Sequence, residues 1–91
     1  MLRLSGPIFF SNANSIRVIE AHKQTFLNPR YIESVAVKKD EPTQTVRVVF
    51  ITTNDGKYEF ISNVIPDPEG KYSTFGDAYD SLAGHIHGMF R

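Results

Sequence analysis

The chain has no cysteine, no tryptophan and no excess of either charge. It also has no apolar run near the ~18 residues that mark a membrane-spanning helix. Without cysteine there can be no disulfide, no thiolate metal site and no cysteine nucleophile. The opening MLRLSGPIFFS has no long apolar core of the kind a secretory leader needs. These absences predict a soluble, cytoplasmic protein. Repeats and low-complexity stretches are missing as well, and no linker is long enough to separate one domain from another. The 91 residues therefore read as one domain, which at this size buries only about 60–65% of its unfolded surface.

The charges cancel at ten of each sign but are unevenly placed. Residues 1–39 carry six bases (Arg3, Arg17, Lys23, Arg30, Lys38, Lys39) against Glu20 and Glu33, and the remainder carries four bases against eight acids. Such a chain can present a basic patch at zero net charge, or use the bias to dock its halves or two copies.

Catalytic signatures are lacking too. No G-x-S-x-G, P-loop or G-x-G-x-x-G occurs. His85 and His87 are two residues apart, which on a helix turns them to nearly opposite sides, so they cannot chelate one metal. Asp77 and Asp80 suit a helix start, and Asp67 and Glu69 suit a solvated loop. The reading is non-enzymatic, with no cofactor and no metal.

What is present is strand composition. Ile8-Phe9-Phe10 reads as a short apolar anchor. The segment SIRVIEAHKQTFLN admits a helix starting near Asn14, but Ile16, Val18 and Ile19 are β-branched, and residues 16–20 and 25–27 are read as two strands joined near His22-Lys23. Asn28-Pro29 breaks the pattern, since the residue before proline is pushed out of the helical region. Residues 32–39 follow as a strand with Ile32, Val35 and Val37 toward the core. Residues 45–53 and 58–61 form a hairpin about Asn54-Asp55-Gly56. With Ile51 opposite Phe60, one face of that hairpin holds Val49, Ile51, Tyr58 and Phe60. The other then holds Val46, Val48, Phe50 and Ile61. Both faces are apolar and both need cover.

One cover is a helix near 74–90, where Phe75, Ala78, Tyr79, Leu82, Ala83, Ile86, Met89 and Phe90 form a stripe at helical spacing. Thr74 and Asp77 supply a capping-box-like start. Gly84 and Gly88 weaken it by about 1 kcal/mol each, so it needs docking. The expected fold is mainly β: a small, strongly bent, five-stranded antiparallel barrel near 15–65, with a C-terminal amphipathic helix.

Two turns carry the groups that hold single-stranded nucleic acid. Asn28-Pro29-Arg30-Tyr31 and Asn54-Asp55-Gly56-Lys57 each offer an amide and a cation, and the first adds a ring. Each is also ordinary turn chemistry. In strand order and loop lengths the chain resembles the Sm/LSm small barrels, and as a whole it resembles a small Sm-like family of marine metagenomic, cyanophage type. The segment Ile16 to Ser62 also resembles small flagellar-operon proteins with an Asn-Pro strand break. The Sm resemblance implies a homo-oligomeric ring joined through edge strands, with the two turns facing RNA. It implies that Tyr31 stacks a base, that Asn28 and Asn54 position it, and that Arg30 and Lys57 meet phosphate. For a phage protein the compartment would be the host cytoplasm. The Sm1 and Sm2 motifs are not reproduced, and the helix follows the barrel instead of preceding it. The rival expectation is a phage structural or regulatory module that binds protein and no nucleic acid.

Overall fold

Residues 1–90 are described by a computed structural model. The elements in order are β1 (Leu2–Ser5), β2 (Ile8–Ser11), β3 (Ile16–Ile19), β4 (Gln24–Leu27), a 3₁₀ turn (Pro29–Tyr31), β5 (Ile32–Asp40), β6 (Thr45–Thr52), β7 (Lys57–Pro66) and α1 (Phe75–Gly88). They form two antiparallel sheets, β1-β7-β6-β5 and β2-β3-β4. The fold is mainly β with a C-terminal helix, as expected. The five-stranded barrel is not: seven strands lie in two sheets, with no closed barrel among the described residues.

The two extra strands are at the start of the chain. Leu2–Ser5 pairs with Asn63–Pro66, and Ile8–Ser11 pairs with Ile16–Ile19. The apolar anchor Ile8-Phe9-Phe10 is thus a strand, and β7 runs five residues beyond the expected end at Ile61. Between β1 and β2 the chain turns at Gly6, whose φ of +113° excludes most side chains. A Cβ there would also sit 3.1 Å from the Ile61 carbonyl oxygen. Gly70 is needed for a different reason: a Cβ would overlap the backbone of Leu2, whose edge is held by Tyr72 through bonds of 2.8 and 3.1 Å.

The hairpin register corrects the expectation most sharply. Phe60 lies opposite Val48, and Ile51 lies opposite Lys57. The turn is not a tight two-residue link. Thr52 N–H donates to the Gly56 carbonyl at 2.7 Å, the Thr52 hydroxyl does so at 3.0 Å, and Asp55 N–H donates back to that hydroxyl at 3.1 Å. Gly56 closes the loop at φ +87°. Ile51 thus meets Lys57 in place of Phe60, a shift of three residues along β7, and because the shift is odd it exchanges the faces of β7. Val46, Val48, Phe50 and Thr52 now share the inner face with Tyr58, Phe60 and Ser62. The outer face carries Arg47, Lys57 and Glu59 beside Val49, Ile51 and Ile61. The ribbon has one apolar face and one mixed face. Of the outer apolar residues, Val49 is buried, Ile51 is half-buried and Ile61 is exposed.

In β5, Ile32 and Val35 are three residues apart and would face opposite ways in a regular strand. The register shift between Ile32 and Ser34 leaves Glu33 as an extra residue. That irregularity returns Ile32 to the side of Val35 and Val37, and all three pack against the core.

Both sheets and α1 enclose one core, with Phe9, Ile16, Val18 and Leu27 from the small sheet. Val46, Val48, Phe50, Phe60 and Val64 come from the large sheet, and Phe75, Ala78, Leu82 and Ile86 from α1. Thr74 caps the helix by accepting from Asp77 N–H at 3.1 Å. Four buried side chains, at about 1.5–3 kcal/mol for each large one, outweigh the cost of Gly84 and Gly88. The helix also covers two sheet edges. The His85 Nε2–H donates to the Phe9 carbonyl on β2 at 2.8 Å, and the Tyr79 hydroxyl donates to the Val37 carbonyl on β5 at 3.0 Å.

Candidate nucleic-acid interface

The two expected turns lie side by side. Asn28 caps the 3₁₀ turn, its Oδ1 accepting from Arg30 N–H at 2.9 Å, with Pro29 in the first turn where a missing N–H costs nothing. The Thr53 N–H donates to the Tyr31 carbonyl at 2.8 Å, which ties the turn of Asn28, Arg30 and Tyr31 to the loop that carries Asn54. Tyr31 is 45% exposed, and Arg30 and Asn54 are exposed. Two of the five residues have structural duties. Asn28 spends its carbonyl oxygen on the cap, and Lys57 Nζ pairs with Glu59 Oε1 at 3.4 Å. Nearby, the Tyr58 hydroxyl donates to Asp55 Oδ2 at 3.2 Å. Desolvation, reinforced by the Asp55 charge and this bond, holds the Tyr58 phenol above its usual pKa, so it remains a donor.

The stronger feature lies on β2, β3 and β4. Phe10 pairs with Arg17, and Arg17 pairs with Phe26, so the three side chains form one row across the small sheet. Phe9, Ile16, Val18 and Leu27 occupy the opposite, core face. That alternation leaves the row outside, with Phe10 43% and Phe26 65% exposed. The Arg17 guanidinium carbon lies 5.0 Å from the Phe10 ring centroid, a cation–π distance. At about 4.8 Å per strand, the two Phe positions are about 10 Å apart. A second row, Ile8–Ile19–Gln24, follows on the same face.

Phe10, Arg17 and Phe26 line a shallow recess of about 300 Å³ with Ser11, Asn12 and Ser15. A second recess, lined by Asn14, Asn28 and Arg30, adjoins the same β2–β3 loop. The surface therefore runs from Phe26 across Arg17 and Phe10 to the Asn28–Tyr31 turn. The sequence carries a signal for it. Three consecutive apolar residues at Ile8–Phe10 cannot all face one side of a strand, so a strand here has to turn at least one of them away from the core. Strand β2 is thus apolar on both sides, with Phe9 in the core and Ile8 and Phe10 exposed.

From Gly6 to Tyr31 the chain carries Arg17, Lys23 and Arg30 against the single acid Glu20. No known family model matches the chain, and no curated protein or solved structure matches it.

Proposed function

We propose that the protein is a non-enzymatic module that binds single-stranded nucleic acid. The exposed Phe10–Arg17–Phe26 row carries the reading. Two rings on a flat sheet offer faces on which bases stack, and a guanidinium between them can meet phosphate or stack in turn. The turn bearing Asn28, Arg30 and Tyr31, and its neighbour bearing Asn54, extend the path. Lys57, already paired with Glu59, contributes less. This keeps the ligand class that the Sm resemblance implies and moves the main stacking surface from the loops to the small sheet.

The test is an anisotropy titration of labelled single-stranded RNA and DNA at several salt concentrations. Arg17→Ala is expected to weaken binding and to lower the slope of log K against log salt by about 0.7, the value for one phosphate contact on a single strand. Arg30→Ala should act likewise, and Lys57→Ala should leave the slope nearly unchanged. Absent binding to every oligonucleotide ends the reading. The rival, a protein-binding module using the same face, draws on the zero net charge, and co-purification with a protein partner that survives high salt would favour it.

Assembly belongs to the same proposal. Counted from the Glu20 N–H to Lys23 carbonyl bond of 2.9 Å, ladder alternation turns the backbone groups of Gln24 and Phe26 away from β3. The β1, β2 and β5 edges each receive at least one hydrogen bond from outside the sheets, and among the described residues β4 receives none. Such an edge invites pairing with another copy, the kind of contact a ring would use. Size exclusion with light scattering should show a mass well above 10.3 kDa. Gln24→Pro removes one outward N–H without touching the β3–β4 ladder and should return the protein to a monomer. A wild-type monomer at micromolar concentration would sink the ring.

A further inference from the structure

Sheet edges that meet solvent are commonly protected by charge, proline, a bulge or a cover. The edges of β1, β2 and β5 are. Strand β1 carries Arg3 and is bonded by Tyr72, and β2 is bonded by His85. Strand β5 has Lys38, Lys39 and the irregularity at Glu33. Strand β4 reads Gln24-Thr25-Phe26-Leu27, with no charge, no proline and no register shift. Phe26 is 65% exposed, the largest value among the exposed large apolar side chains.

The backbone of β4 fits a second copy of itself in one register. Gln24 and Phe26 each turn an N–H and a C=O outward. In an antiparallel pair about a two-fold axis at Thr25, Gln24 of each copy stands opposite Phe26 of the other. Every outward group is then used, in four hydrogen bonds. Moving the axis to Phe26 would set Gln24 against Asn28, whose carbonyl already accepts from the Tyr31 N–H at 3.0 Å. Moving it to Gln24 would set Phe26 against His22, inside the turn that Glu20 and Lys23 close. The two Thr25 residues meet on the axis as a non-hydrogen-bonded pair, with Cα atoms about 4.5 Å apart. Threonine pairs at such positions are favourable.

The pairing has a consequence for the stacking row, because residues opposite each other share a face. Phe10, Arg17 and Phe26 of one copy are followed, across the axis, by Phe26, Arg17 and Phe10 of the other. The two Phe26 residues are diagonal neighbours about 7–8 Å apart, within reach of each other's rings. Phe10 and Phe26 are about 10 Å apart within each copy, so four rings follow one another along the joined sheet. Stacking engages the π-face of a base whatever the direction of its strand, so one strand can cross a two-fold surface.

We infer that two copies pair through β4 about a two-fold axis at Thr25, and that one single strand of nucleic acid crosses both copies on the joined row. The pair uses up both β4 edges, so any larger ring is assembled from such pairs. The shared strand rests on the nucleic-acid reading above, and the pairing has a readout of its own.

The chain has no cysteine, so one introduced thiol reports the axis. Thr25→Cys is expected to convert most of the protein to a disulfide dimer under mild oxidation, because Cα atoms about 4.5 Å apart are within disulfide range. Phe26→Cys, although more exposed, should crosslink only by random collision, since its Cα is about 7–8 Å from its mate. Adding Gln24→Pro to Thr25→Cys should abolish the crosslink. Equal crosslinking of the two single variants, or a Thr25→Cys crosslink that survives Gln24→Pro, overturns the pairing and leaves the stacking row standing.

The shared strand is read from single-stranded DNA of about four and about ten nucleotides, lengths within the range of known single-strand sites. At saturation the longer strand should bind one per two chains and the shorter one per chain. Wild type should also bind the longer strand at least about a hundredfold tighter, the gain expected from linking two sites, and Gln24→Pro should lose most of that gain. Saturation at one long strand per chain overturns the shared strand alone. Absent binding of both lengths overturns it together with the nucleic-acid reading.

Discussion

Replacing Phe10 and Phe26 together by alanine should weaken single-stranded nucleic-acid binding by at least thirtyfold. Base stacking on an aromatic side chain is worth about 1–3 kcal/mol per base, so two lost platforms remove about 2–6 kcal/mol. The loss should appear at every salt concentration, because stacking releases no counterions. Arg17→Ala, by contrast, should change the salt slope. The pair of results distinguishes a stacking platform from a merely basic patch. The double variant should remain folded, since both rings point away from the core and are 43% and 65% exposed. Surface substitutions of this kind usually change stability by no more than about 0.5 kcal/mol. Binding that falls less than threefold in a folded double variant would remove the small sheet from the site.

Phe50→Ala should have the opposite signature: a large stability loss, with binding affected only through the folded fraction. Phe50 is fully buried, and its ring centroid lies 6.4 Å from Phe9, 6.0 Å from Phe60 and 6.4 Å from Phe90. It thus touches the small sheet, the large sheet and the segment after α1, and no other ring among the described residues connects all three. Truncating such a residue costs about 3–5 kcal/mol. A domain of this length has about 5–14 kcal/mol in total, so about a fifth or more of the stability is at stake. Chemical denaturation should show a lower midpoint at an unchanged slope. A midpoint shift equivalent to less than about 1 kcal/mol would show that the two sheets do not share the core described here.

These two predictions use residues of very different legibility. Phe50 is identifiable as core from its place in the longest β-branched run. Phe26 falls in a strand by composition, but its outward direction is not legible, because the three consecutive residues Thr25-Phe26-Leu27 leave the inward member undecided. Arg17 is one more surface cation until the register sets it between two rings. The five turn residues singled out by their chemistry are near one another in space, yet Asn28 and Lys57 are each held by a local partner that residue type alone does not announce.

Local chemistry by itself determined the Thr74 cap and helical stripe of α1, the strands β5 and β6 and the start of β7, the break at Asn28-Pro29 and the lack of any catalytic signature. Each depends on residues within a few positions of one another, where propensity, capping and turn preference act directly. Tertiary structure decided the rest. Strand β1 is recognisable only through its distant partner β7 at the other end of the β region, and four residues have too little pattern of their own. The faces of β7 depended on whether the Asn-Asp-Gly turn closed tightly or through the Thr52 and Gly56 bonds. An odd shift in that pairing inverts a face and leaves local propensities unchanged. The exposed aromatic row arises the same way: three strands, each ambiguous alone, acquire a common outer face only when their registers and the shared core fix which side is in.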